Sequence, residues 1–223
     1  YNFDITNIRI KTPNDNVKSG DAAIQIYNSA KISIDNVIIE GTYSQKRKYG
    51  YAFKLDNIYD LNLCRIDAHA KWGVFGNFNL NKVLIQKCDI NRFDIHCYGR
   101  DIIAKDCIFS DLYNQFSSMY GTVIFKNCTF NKCVPFLMES SYNAYTAFDL
   151  IWDKCVFYLD NNHNYLMTLS GVPDKMNSRK ELSQKCLPNI SITNCVEFIY
   201  ACFKLSRDKS SSLHCDFYFV LII

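Results

Sequence analysis

The amino-acid sequence predicts an all-β solenoid, a parallel β-helix of about eight coils, and three observations carry that expectation. Short strands of one form, apolar-x-apolar-x-x-Cys-x-apolar, recur along the chain. They are bounded by Asn, Asp, Gly or Ser, residues that form turns and interrupt helices. No segment sustains a 3.6-residue apolar period, which disfavours tandem helical repeats.

The units follow in order. "FDITNIRI" (3–10) and "ISIDNVII" (32–39) carry Ile8 and Val37 where later units carry cysteine. "YDLNLCRI" (59–66), "VLIQKCDI" (83–90), "IIAKDCIF" (102–109), "TVIFKNCTF" (122–130), "LIWDKCVF" (150–157) and "ISITNCVEF" (190–198) complete the series. The anchors Ile8, Val37, Cys64, Cys88, Cys107, Cys128, Cys155 and Cys195 are 29, 27, 24, 19, 21, 27 and 40 residues apart, a variable coil length around two dozen residues. In a solenoid, equivalent positions stack on one another, so the six cysteines are expected to form an inward ladder of small apolar thiols. Val and Ile at the first two rungs fit a packing ladder and could not serve as metal ligands. The 11 cysteines include no Cys-x-x-Cys pair and are odd in number, which argues against a zinc site or a disulfide framework.

The long gap between Cys155 and Cys195 holds "NNHNYLMTLSG" (161–171), which can finish one coil, and "VPDKMNSRKELSQKCLP" (172–188), which reads as an excursion loop. The expected organisation is one β-helix domain over 1–205, then a polar linker and a terminal apolar strand over 206–223, "HCDFYFVLII" closing the chain. That strand is expected to cap the open end or to pair with another subunit, so a homo-oligomer is one expected assembly. The chain opens directly on strand-like "YNFDITNIRI", as a fragment lacking its N-terminal cap would.

Composition narrows the function. Hydrophobic residues make up 48% of the 223 residues and charged residues 21%, as in a folded globular chain. The net charge of +3 is scattered, with "QKRK" (45–48) the only tight basic cluster, so no nucleic-acid partner is expected. The longest apolar run, "FYFVLII" (217–223), is far too short for a membrane span. The sequons "NCT" (127–129) and "NIS" (189–191) carry weight only in a secreted eukaryotic protein.

The chemistry-bearing stretch is a near-echo, "CRIDAHAKWG" (64–73) and "CDINRFDIHCYG" (88–99). Strand alternation with Cys64 and Ile66 inward places Arg65, Asp67, His69 and Lys71 on the outer face. In the next coil it places Asp89, Asn91, Asp94 and His96 outside and Phe93 and Ile95 inside. Asp67, His69, Lys71, Asp94 and His96 are therefore the catalytic candidates. A histidine or lysine beside aspartate suits a lyase base, and two carboxyls suit a glycosidase. Arg65, Arg92, Arg100, Asp111, Glu139 and Tyr142 are the substrate-binding candidates, and Trp72, Tyr98, Tyr120, Tyr142 and Tyr145 could stack on sugar rings. A structural account stands beside this one: Asp and His at coil corners often bond turns, and Arg92-Phe93-Asp94 could lock one coil on the next.

The repeat, with "GVFGNFNLNKVLIQKCDINRFDIHCYGRDIIAKDC" (73–107) and "FLMESSYNAYTAFDLIWDKCVF" (136–157), resembles the right-handed parallel β-helix proteins of the pectin-lyase-like superfamily, most nearly a poorly characterised group from phages and gut bacteria. The resemblance covers about 20–200 for the fold and 64–157 for the narrower group, in which a Gly-x-x-Gly turn precedes an Arg-Phe-Asp-x-His segment. It implies a polysaccharide partner and an extracellular, cell-surface or virion-associated setting. The motifs of polygalacturonase-type hydrolases are missing, and the carboxylate set of calcium-dependent pectate lyases cannot be assembled, so no cofactor is expected and calcium has no support. The expected function is binding of an extended polysaccharide along an outer groove, with lyase-like or glycosidase-like cleavage. The alternative is a non-catalytic fibre, tailspike or adhesin domain.

Overall fold

A computed structural model describes residues 2–11, 22–40, 50–68, 73–76, 79–95, 99–110, 113–116, 119–139, 147–159, 166–170, 189–198, 201–205 and 216–219. The described residues are all-β, without helix, and belong to one large sheet. No helix among them is long and apolar enough to cross a membrane.

Three long strands open the chain: β1 (Asn2–Lys11), β2 (Ala22–Glu40) and β3 (Tyr51–Ala68). Shorter ones follow: β4 (Val74–Gly76), β5 (Leu80–Gln86), β6 (Asp89–Ile90), β7 (Phe93–Ile95), β8 (Gly99–Lys105), β9 (Ile108–Ser110), β10 (Tyr113–Phe116), β11 (Met119–Lys126) and β12 (Thr129–Asn131). The remainder are β13 (Val134–Glu139), β14 (Ala147–Asp153), β15 (Val156–Tyr158), β16 (Met167–Ser170), β17 (Asn189–Thr193), β18 (Val196–Phe198), β19 (Ala201–Leu205) and β20 (Asp216–Phe219).

Pairing is parallel and repeats every three strands. β3 pairs along its length with β4, β5 and β6 in turn. From there three tracks run side by side: β4-β7-β10-β13-β16-β19, β5-β8-β11-β14-β17 and β6-β9-β12-β15-β18. β20 is the exception, lying antiparallel on β19 with Ala201 opposite Phe219, so this part of the terminal segment pairs with its own chain.

Each rung is turned by a residue in the left-handed region. Asn7, Asn36, Arg65, Lys87, Asp106, Asn127, Lys154 and Asn194 all have φ between 52° and 57°. Asparagine tolerates this conformation because its amide can bond locally, whereas most L-residues pay about 1–2 kcal/mol there. Stacked corners also bond one another. Asn36 Nδ2 donates to Asn7 Oδ1 at 2.7 Å, and Asn127 Nδ2 donates to Asp106 Oδ1 at 2.5 Å. At a second corner row Asn79 Nδ2 donates to Asn57 Oδ1 at 3.0 Å while Asn57 Nδ2 donates to Asn28 Oδ1 at 2.9 Å.

The corner resets the in-out alternation, and this corrects the predicted ladder. Val37 lies opposite Ile66, and Asp67 opposite Asp89, so Ile66 occupies the rung of Val37 and Cys88. Cys64 falls two residues short, opposite Asp35 and Gln86, and is half-buried. Leu61, Leu63, Ile66 and Ala68 are the inward set in β3, matching Val83, Ile85, Cys88 and Ile90. The described rungs therefore read Ile8, Val37, Ile66, Cys88, Cys107, Cys128, Cys155 and Cys195.

The first four cysteines of that row are buried and free, and Cys195, on the last of these rungs, is half-buried and free. Each thiol lies within hydrogen-bond distance of the carbonyl two residues back, Cys88 of Gln86 at 3.2 Å and Cys107 of Lys105 at 3.1 Å, and of a carbonyl on the rung before, as with Cys155 and Phe125 at 3.3 Å, so its one S–H has two acceptors in reach. This explains why cysteine recurs where valine would also fit: the corner turns two carbonyls inward, and a thiol is a small apolar group with a weak donor to give them. Hydrogen bonding to the next thiol, then burial, push Cys88 and Cys128 above the ordinary thiol range. Cys107 and Cys155 are drawn the other way by hydrogen bonds from the thiols on either side.

Aromatic rings fill the rest of the core. Phe109, Phe130 and Phe157 stack at successive centroid distances of 5.3 Å, nearly parallel at 13° and 11°, and Phe116 stacks on Phe136 at 4.5 Å. In-register pairing sets these spacings, because parallel strands lie ~4.8 Å apart.

Asn57→Ala removes both amide bonds of its corner and places a Cβ-bearing residue without a local partner in the left-handed region. It should lower urea-denaturation stability by about 1–3 kcal/mol, and Asn57→Gly should cost less.

Candidate functional site

The sequence candidates separate into exposed and buried groups. Asp67 is exposed on the outer side of β3, as alternation requires. Arg65 is also exposed, but as a corner residue whose guanidinium is held by both oxygens of Asp35 on the previous rung, through Nε at 2.9 Å and through Nη2. Asp35 raises the Arg65 pKa further, and the cation is committed to an inter-rung bridge.

Asp94 corrects the alternation rule. It is fully buried rather than outward, and Arg92 is only 3% exposed. Asn91, also expected outside, is buried. The reason is local: Phe93, Asp94 and Ile95 of β7 are all buried, so the strand is covered on both faces and alternation no longer sorts core from solvent. Arg92 Nε donates to Asp94 Oδ1 at 2.6 Å inside the protein.

Two neighbours fix this pair. Asn114, itself fully buried, accepts from Phe93 N at 2.9 Å and donates to Pro135 O at 3.2 Å, tying β7 to β13 across β10. Gly73 has φ of 71° and lies so close to the Arg92 backbone that a Cβ would sit 1.8 Å from the Arg92 carbonyl oxygen. Val74 N donates to that same oxygen at 2.8 Å. The Gly-x-x-Gly turn and the Arg-Phe-Asp segment are therefore one packed unit, and Asp67 and Asp94 do not share an outer face. His69, Lys71, His96, Asp111 and Tyr142, with Trp72, Tyr98 and Tyr145, lie outside the described residues, as does the side chain of Glu139.

An open cleft lies elsewhere, over β5, β8 and β11. It has a volume of about 480 Å³ and is lined by Asn79, Leu80, Asn81, Gly99, Arg100, Tyr120 and Gly121. Two of its residues, Arg100 and Tyr120, were legible as binding candidates from sequence. Leu80 pairs with Gly99, and Arg100 pairs with Tyr120, so Asn81, Arg100 and Tyr120 follow one another across the strands on the outer side. Tyr120 is aimed by a bulge: one extra residue enters β11 between Tyr120 and Val123. The bulge needs Gly121, at φ of 71°, because a Cβ there would meet Asp101 Oδ1 at 2.0 Å. With no side chain in the way, Thr122 N donates to that oxygen at 3.2 Å, while Asp101 Oδ2 accepts from Arg100 Nε at 3.2 Å. Asp101 thus positions an arginine that remains largely in solvent.

The row extends back by one strand. Ile58 pairs with Leu80 and Asp60 with Lys82, so Tyr59 stands beside Asn81. Tyr59 is 58% exposed, and Lys82 Nζ lies 5.8 Å from its ring centroid. Tyr59, Asn81 and Lys82 were missed from sequence, although an aromatic two residues after a corner asparagine, as in Asn57-Ile58-Tyr59, was a usable signal. Among the described residues no group of three or more His, Cys, Asp or Glu side chains could hold a metal ion.

Arg92→Met removes the 2.6 Å ion pair from a buried carboxylate and should cost about 3–5 kcal/mol in urea denaturation, whereas Arg92→Met with Asp94→Leu should recover most of that loss. No family model matches the chain, and no curated protein or solved structure matches it.

Proposed function

We propose that the chain is a carbohydrate-active protein built as a parallel β-helix, which holds an extended polysaccharide against its outer surface. The β-helix reading is supported by the three parallel tracks and by the corner that recurs once in each unit. The pectin-lyase-like affiliation rests on the sequence resemblance alone. The observation that carries the function is the cleft in which Asn81, Arg100 and Tyr120 stand side by side on successive strands. Aromatic rings suit the apolar faces of sugars, and amides and guanidinium groups suit their hydroxyls.

Cleavage is a separate proposal, and Asp67 is its remaining described catalytic candidate. The buried Arg92–Asp94 pair lies within one coil, away from solvent, and leaves binding to the exposed row. A second reading, a non-catalytic rod or adhesin domain, is favoured by the amide and thiol ladders, which bind rung to rung along the chain.

Affinity electrophoresis through gels containing neutral or acidic polysaccharides tests the binding reading. The wild-type chain should be retarded by at least one of them, and Tyr120→Ala should weaken that retardation by about tenfold. Unchanged mobility in every gel would favour the rod. New reducing ends, abolished by Asp67→Asn, would assign the cleavage.

A further inference from the structure

The polysaccharide reading leaves open the class of sugar and the direction in which the chain lies, and the surface around the cleft bears on both. Tyr59, Asn81, Arg100 and Tyr120 occupy four successive strands, β3, β5, β8 and β11, at neighbouring outer positions. With parallel strands ~4.8 Å apart, the two tyrosines stand about 14 Å apart, with an amide and a guanidinium between them. Each sugar of an extended β-linked chain advances by a length similar to one strand spacing. A glycan lying across the strands therefore presents one residue to each of the four side chains, with a ring under the first and last.

Charge then discriminates between acidic and neutral glycans. The outer row beside this one alternates in sign. Lys31 pairs with Asp60, Asp60 with Lys82, and Asp101 follows on β8. Arg100 is itself matched by Asp101, whose other oxygen is fixed by Thr122 N, and Lys82 lies against the Tyr59 ring. On the strands that carry the binding row, Lys82 and Arg100 stand against Asp60 and Asp101, two cations to two anions, with Lys31 one strand further out, and Arg100 has the Asp101 carboxylate at 3.2 Å. A polyuronate, with a negative charge on every sugar, would meet no net positive charge on the strands of the row and would bring its charges close to Asp60 and Asp101. A neutral glycan needs the rings and the hydrogen-bonding groups and loses nothing to this balance.

Resting on the polysaccharide reading above, we infer that the Tyr59-Asn81-Arg100-Tyr120 row is a binding site for a neutral, extended glycan that runs across the strands, with Tyr59 and Tyr120 as its two stacking ends.

The test uses the full chain in affinity gels containing hydroxyethylcellulose, mixed-linkage β-glucan or glucomannan, against gels containing polygalacturonate or alginate. Calorimetric titration with oligosaccharides of two to six sugars follows. Neutral polymers should retard the protein with little dependence on salt, and affinity should rise steeply until the oligosaccharide reaches about four sugars, enough to bridge the two rings. Tyr59→Ala and Tyr120→Ala should each weaken binding about tenfold while Tyr59→Phe retains it, with circular dichroism confirming that each variant is folded. Retardation by polygalacturonate or alginate alone, weakened by salt, would overturn the neutral assignment while leaving polysaccharide binding in place. Loss of binding in Tyr120→Ala with none in Tyr59→Ala would overturn the four-strand span. No retardation in any gel would overturn both this inference and the function on which it rests.

Discussion

A single backbone conformation recurs among the described residues: at Asn7, Asn36, Arg65, Lys87, Asp106, Asn127, Lys154 and Asn194, one residue with φ between 52° and 57° stands just before the inward rung position. Everything else in the structure follows from that corner. It turns the chain toward the next track, and it resets alternation so that the residue after it points inward whatever came before. Because it recurs at equivalent positions, each strand lies in register on its predecessor, and a side chain's nearest neighbour is its own equivalent one rung away. The geometry selects residues that tolerate being stacked on copies of themselves: amides that donate to amides, thiols that donate to carbonyls, and rings that lie flat on rings.

The same constraint shapes the outer surface. Side chains that would be unrelated in a globular fold become a row, one per strand, at a fixed spacing. Such a row is charge-balanced when opposite signs alternate, as in Lys31, Asp60, Lys82 and Asp101, and it places rings and hydrogen-bonding groups in line on the outer side, as in Tyr59, Asn81, Arg100 and Tyr120, the row proposed above to bind a glycan. A polymer with its own repeat is a natural ligand for a protein surface with a comparable one. The departures from regularity are informative for the same reason: the bulge at Gly121 interrupts the register where Tyr120 is turned toward the cleft.

Much of this was legible in the sequence because the cysteines mark their own positions. Five of the six rung cysteines fall where the repeat places them. Cys64 was misplaced because "LNLCRI" satisfies the spacing when the cysteine is taken as the anchor, although its aliphatic residues Leu61, Leu63, Ile66 and Ala68 match those of the next unit only when Arg65 is the corner. Arginine is an unusual residue for a left-handed corner, and Asp35, which holds it there, lies 30 residues earlier. Asp94 was misplaced for a different reason. Alternation sorts in from out only where one face of a strand meets water, and β7 is buried on both. The Tyr59 end of the binding row could not be read from sequence because membership depends on register between strands that are over twenty residues apart.

Thiol labelling tests the register most directly. Each cysteine is alkylated in the folded protein and again in urea, and the modified peptides are counted by mass spectrometry. Burial, followed by the Asp35 carboxylate, raises the Cys64 pKa, so its labelling in the folded state is compared with its own labelling in urea. Corner-set register predicts that Cys64 reacts in the folded protein while Cys88, Cys107, Cys128 and Cys155 are protected until it unfolds. A protected Cys64 alongside any reactive member of that buried set would contradict the register, and with it the row on which the proposed binding site is built.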